Sequence, residues 1–176
     1  MQPGIVAPDA ATGVPPAEWH AAAQLLYREA EILDAGRLKD WLAFVGPELD
    51  YRILNRTQRT RPDRAATYSP DSFVIACDRA ALEARIVRQS SEFAWAEETP
   101  AATRRFITNI RVERDGELLR VKSNLLLFRA RWENVAFVSA ERHDRWIVGP
   151  AVTLLAERWS YLDHTVLPVE NLGVFL

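Results

Sequence analysis

From about residue 17 the apolar positions recur at helical spacing. Trp19, Ala22, Ala23, Leu26, Ala30 and Leu33 share one face, while His20, Gln24, Arg28 and Glu31 fall opposite. This predicts an amphipathic helix over residues 17–34, with Gly36 suited to its C-terminal cap. Leu38, Trp41, Leu42 and Val45 repeat the spacing and predict a second, shorter helix, stopped at Gly46-Pro47. Residues 49–59, carrying Tyr51, Ile53 and Leu54, predict a strand, and the polar stretch to about Pro70 a long loop. The apolar run 73–76 is too short to assign. Asp78 suits the N-cap of a third helix with Leu82, Ile86 and Phe93 as its buried stripe, closed by Pro100.

Beyond about Thr103 the period changes to two. Phe106, Thr108, Ile110 and Val112 alternate with Arg105, Asn109, Arg111 and Glu113, the pattern of a half-buried strand. Asp115-Gly116 supplies a tight hairpin turn, and a long return strand follows over residues 118–132, with the apolar run 125–128 inside it. Glu133-Asn134 marks the next turn. Residues 135–147 and 151–162 predict two more strands, separated by Gly149-Pro150. Three helices and a long, twisted, mainly antiparallel sheet define an α+β fold. A sheet of such strands curved over helices forms an open cone, and a cone offers a pocket. Residues 1–15, with Pro3, Pro8 and Pro15 and no periodicity, are expected to be a flexible arm, and residues 16–176 a single domain.

Composition narrows the function classes. The 176 residues suit one globular domain with an ample core. Lys and Arg number 22 against 24 Asp and Glu, so the chain lacks the basic field that nucleic-acid binding needs, despite the local run Arg52, Arg56, Arg59, Arg61 and Arg64. No apolar run approaches the ~18 residues of a membrane span. The N-terminus lacks the basic start and apolar stretch of a secretory signal, so a cytoplasmic protein is expected. Of the 22 basic residues 20 are Arg, and the chain also carries 6 Trp. A GC-rich genome explains the Arg bias most simply; enrichment of Arg and Trp in protein interfaces is the functional alternative.

Candidate chemistry is sparse. The single Cys77, with Val74, Ile75 and Ala76 beside it, is expected to be a small core residue and excludes any site needing two thiolates. The glycines are scattered, with no phosphate-binding loop, and no G-x-S-x-G elbow occurs. His20 lies on the polar helix face. His143-Asp144 and Asp163-His164 are neighbours in or beside strands, so the members of each pair point to opposite faces. Asp144 facing a cone interior, with His164 or Tyr161 from the next strand, would make an acid–base site. Two His and a carboxylate also suit non-haem iron, but nothing in the spacing brings them together. Residue by residue, the chain points to a scaffold with no active site, metal site or cofactor site of its own.

Four ordered blocks carry a resemblance. They are LLYREAEILDAGRLKDWLAFVGPELDYRILNRTQRTR (25–61), RQSSEFAWAEETPAATRRFITNIRV (88–112), VKSNLLLFRAR (121–131) and NLGVFL (171–176). The chain resembles the small (β) subunit of bacterial aromatic-ring-hydroxylating dioxygenases. Ala102, where a Ser is expected, and Ala140, where a Gly is usual, depart from the family pattern and leave its branch, and hence the substrate, open. The resemblance implies a cystatin-like, nuclear-transport-factor-like cone. It also implies a trimer of this chain within a hexamer of three large (α) and three small subunits. The Rieske iron–sulfur cluster and mononuclear iron would belong to the large subunit, which cis-dihydroxylates an aromatic ring. A Rieske cluster takes two Cys and two His, and this chain has one Cys. Trp95, Arg104 and Arg105, in a matched block, and the apolar end Phe175 and Leu176 are expected to contact neighbouring subunits, with intrachain packing as the alternative. A free-standing cone-fold isomerase or dehydratase using Asp144 and His164 is the competing reading.

Overall fold

A computed structural model describes residues 13–57, 68–89, 101–168 and 174–176. Helix α1 spans Pro16–Asp34, opened by a proline in its first turn, where a missing N–H costs nothing. It ends at Gly36, whose φ of +68° lets Arg37 N–H reach back to Ile32 O. A single turn, α2 (Leu38–Trp41), runs into a 3₁₀ turn and then into β1 (Val45–Arg56). β2 (Tyr68–Cys77), α3 (Arg79–Gln89), β3 (Ala102–Asp115), β4 (Leu118–Arg131), β5 (Asn134–Val148) and β6 (Thr153–Leu162) follow. Asp78 caps α3 by accepting the Ala81 N–H, and Leu82 and Ile86 are buried as expected; Phe93 lies outside the described residues.

Apolar spacing misleads at Val45. The apolar spacing extends the second helix to this residue, whereas Val45, Gly46 and Pro47 already belong to β1. β1 pairs in parallel with β6, and a Cβ at Gly46 would stand 3.0 Å from Leu155 O. The glycine therefore permits close strand approach instead of stopping a helix. The six strands form one sheet in the order β2-β1-β6-β5-β4-β3, antiparallel throughout except for β1 with β6. The β1–β2 pair intervenes between the second and third helices, so the helices are not contiguous in the chain.

β3 corrects a second expectation. Asn109 adopts φ +53° and, with Ile110, stands opposite Ser123 where the β3–β4 register shifts. This bulge reverses the alternation. Arg105 and Ile107 point inward before it, Ile110 and Val112 after it, and Phe106 is left half exposed on the outer face. The inner face of the sheet packs against α1 and α3. Trp41, Tyr51, Ile53, Leu82, Ile86, Leu125, Leu127, Trp146 and Leu155 fill the space between.

Candidate functional site

The interior of the cone is the place where the fold offers a pocket, and here it is occupied by the chain's own charges. Arg158 of β6 stands at its centre with all five guanidinium N–H groups engaged. Nε and Nη2 donate to Asp144 at 2.8 and 2.7 Å; Nη1 and Nη2 donate to Glu29 at 2.9 and 2.8 Å; Nη1 also reaches Leu176 O at 3.2 Å. Trp41 Nε1 donates to Glu29 at 2.8 Å. Burial alone would raise the Asp144 carboxyl, but the neighbouring Arg158 and Arg142 outweigh it and hold Asp144 below its usual range. Burial likewise opposes the charge on Arg158, yet Asp144 and Glu29 raise it well above its ordinary value. An Asp that stays ionised with both oxygens bound by one buried guanidinium is a structural counter-ion and no general base.

The last residues seal the same space. Phe175 packs its ring on Trp41 with centroids 4.9 Å apart and meets Tyr51 edge-on at 6.4 Å. Leu176 N–H donates to Tyr51 Oη at 2.9 Å, and burial pushes the Tyr51 hydroxyl up to about 12. Arg105 clamps this end to α1. Its Nη1 pairs with Asp34 at 2.5 Å and its Nη2 donates to Phe175 O at 2.6 Å. Phe175, Leu176 and Arg105 are therefore buried inside their own chain, the intrachain packing that was the alternative to a subunit contact. Trp95 lies outside the described residues. Arg104 is exposed on the outer face, in register with Phe128.

The acid–base residues foreseen in the sequence do not converge. Asp144 points inward and His143 outward, as strand alternation requires. His143 Nε2 lies 2.5 Å from Glu141, with its ring 4.8 Å from Tyr161. His164 Nε2 accepts the Ser139 N–H at 3.1 Å, and Asp163 accepts the Ser139 hydroxyl. Burial raises the Cys77 thiol, so it offers no thiolate. Among the described residues no group of three or more His, Cys, Asp or Glu is placed to hold a metal ion. Sequence reasoning missed Glu29 and Arg158. Glu29 sits three residues after Leu26 and four before Leu33, on the apolar face of α1; that position was its only signal.

The outer face of the sheet is different in kind. Phe106 and Phe137 are each 50% exposed, and Leu126 and Val135 are also exposed. Phe106 pairs with Leu126, and Arg104, Phe128 and Phe137 form one cross-strand row in which the two phenyl rings meet at 5.5 Å. Trp132, at the β4–β5 turn with φ +53°, is 79% exposed. Exposed apolar and aromatic side chains thus cluster on this face. Toward the other end of these strands lies a groove of about 420 Å³ lined by charges of both signs, including Arg111, Glu113, Lys122 and Glu157.

A curved six-stranded sheet packed on helices, its interior filled among the described residues by the Arg158–Asp144–Glu29 ion pairs, is a nuclear-transport-factor-like cone. Its relatives narrow that class. The family of ring hydroxylating beta subunits matches residues 28–169, and the chain belongs to it. The chain is 32% identical over 167 residues to the 3-phenylpropionate/cinnamic acid dioxygenase subunit beta of Photorhabdus laumondii, covering 92% of this chain and 93% of that one. A chain of naphthalene 1,2-dioxygenase, solved with indole in the active site, superposes with a TM-score of 0.82 at 32% identity, over 93% of this chain and 88% of that one. The beta subunit of the benzoate 1,2-dioxygenase of Burkholderia mallei, at 20% identity and a TM-score of 0.67, shares the fold over 85% of this chain and 91% of its own. This protein is thus the beta subunit of the terminal oxygenase of an aromatic-ring-hydroxylating dioxygenase, a component of an enzyme complex.

Proposed function

We propose that this subunit acts without catalytic residues of its own, as a trimeric base that stabilises and aligns three large subunits in a hexamer. The observation that carries this reading is the contrast between the two faces of the sheet. The inner one is closed by Arg158, Asp144, Glu29 and the end of the chain, whereas the outer one presents Phe106, Leu126, Phe128 and Phe137 beside Arg104. Self-association of that outer face buries the exposed aromatics in the cheapest way. Arg104 would then act at the subunit contact, with Trp95 as a further contact residue. The Rieske cluster and the mononuclear iron would reside in the large subunit, since this chain's one Cys cannot supply the two that a Rieske cluster takes. By binding only the folded partner, the base raises that partner's stability through mass action. Residues 1–15 would serve as an arm on the single domain 16–176, in a cytoplasmic complex that engages neither nucleic acid nor membrane. Among the described residues no helix is long and apolar enough to cross a membrane.

The test is the solution mass of this chain, by light scattering on a sizing column, alone and co-expressed with its large subunit. A trimer that becomes an iron-containing hexamer is expected. A monomer that ignores the large subunit would refute the reading. In the intact complex, His164→Ala should leave ring dihydroxylation nearly unchanged; a loss above about a hundredfold, the scale of general-base catalysis, with the assembly intact would refute the non-catalytic reading.

A further inference from the structure

Beside the saturated Arg158 lies a second buried guanidinium that is not saturated. Arg142 of β5 pairs across the sheet with Ser123 of β4 on one side and Ser160 of β6 on the other, and all three side chains are fully buried on the inner face. Among the described residues, Arg142 Nε and Nη2, Ser123 Oγ and Ser160 Oγ have no hydrogen-bond partner. The nearest carboxylate oxygens, Asp144 Oδ2 at 3.6 Å and Glu29 Oε2 at 3.8 Å from Nη2, stand beyond hydrogen-bond reach. Both carboxylates are already bound to Arg158. The row thus brings three guanidinium N–H donors and two hydroxyl groups together on the buried inner face with none of them hydrogen-bonded among the described residues.

Buried donors of this kind are found satisfied in folded proteins, by protein or by a small bound guest. Serine is the smallest hydroxyl side chain, so the positions flanking Arg142 on both neighbouring strands carry the least bulk a hydroxyl can have. The β3 bulge at Asn109 and Ile110, opposite Ser123, displaces the backbone on that side. We propose that Ser123, Arg142 and Ser160 form an internal binding site for one small hydrogen-bond acceptor, a halide-sized anion or a water molecule. Arg142 Nε and Nη2 and the two serine hydroxyls donate to it. Burial and the like charge of Arg158 lower the pKa of Arg142, and an acceptor at this site opposes both effects. The guest satisfies the donors of the row and has no part in ring hydroxylation.

Crystals of the intact protein grown in sodium bromide test the site. An anomalous peak within about 3.5 Å of Arg142 Nε identifies an anion, and an oxygen-sized peak without anomalous signal identifies water; either supports the proposal. In solution, a thermal midpoint that rises with chloride over gluconate at fixed ionic strength specifies the anion arm, and no dependence specifies water. Ser123→Ala/Ser160→Ala, which keeps the fold's apolar contacts, should abolish the peak while Arg142 stays in place. A map with no density beside Arg142, in which its guanidinium bonds directly to Glu29 or Asp144 and the serines bond to backbone carbonyls, would overturn it.

Discussion

Arg158→Met removes the one side chain on which the sealed cone converges. Five N–H groups disappear, stripping Asp144 of both Arg158 bonds and leaving Glu29 with Trp41 and Leu176 O with Tyr51 as donor. Methionine fills a similar volume, so the cavity contribution is small and the uncompensated carboxylates dominate. Breaking a buried pair by removing one partner costs about 3–5 kcal/mol. With a urea slope of roughly 2 kcal/mol/M for a domain of this size, the unfolding midpoint should fall by about 2 M. Arg158→Lys restores the charge but offers three donors for five positions, so it should recover part of the loss and no more. Urea titration followed by tryptophan emission suits the measurement, because Trp41 bonds to Glu29 and Trp146 lies 5.9 Å from the Arg158 guanidinium. Both proteins must be compared at one protomer concentration, since association adds to apparent stability. A midpoint loss under about 0.5 M for Arg158→Met would show that the network is not holding the cone shut.

Phe175→Ala should cost about 3–5 kcal/mol, from a buried ring packed on Trp41 and Tyr51, and calorimetry will read the lost Tm. The acid limb of stability should carry Asp144. Its folded pKa lies below its unfolded value of about 3.9, so its contribution is complete above that pH and lost as pH falls through the folded pKa. Urea midpoints between pH 7 and pH 3 should therefore drop more steeply below about pH 4 for the wild type than for Asp144→Asn. Phe137→Glu, which places a charge in the row with Phe128 and Arg104, should leave the circular dichroism unchanged and shift sedimentation toward a smaller species; an unchanged sedimentation coefficient would remove that face from the interface.

Local pattern was enough for most of the architecture. The 3.6-residue period of α1, the Asp78 cap and the two-residue period of the late strands are properties of neighbouring residues, and so is the inability of one Cys to ligate a Rieske cluster. The four blocks also carried the family and with it the cone. Failures came where a distant element decides a residue's fate. Val45 fits a helix by spacing but is claimed by Leu155 of β6, and Phe106 was turned outward by one bulged residue whose effect depends on the register with β4. Phe175 and Leu176 illustrate the same limit: an apolar end must be buried somewhere, but whether in a neighbour or in its own cone depends on Tyr51, Arg105 and Arg158, each far away in the chain. Charge is the extreme case. Glu29 and Arg158 are 129 residues apart, and each alone reads as a polar misfit; only the packing of α1 against the sheet makes the pair that closes the pocket. Periodicity reports which side of an element is apolar because that is a local property of the chain. The partner of a buried polar group is set by tertiary geometry, because a Coulombic contact exists only once both elements are in place.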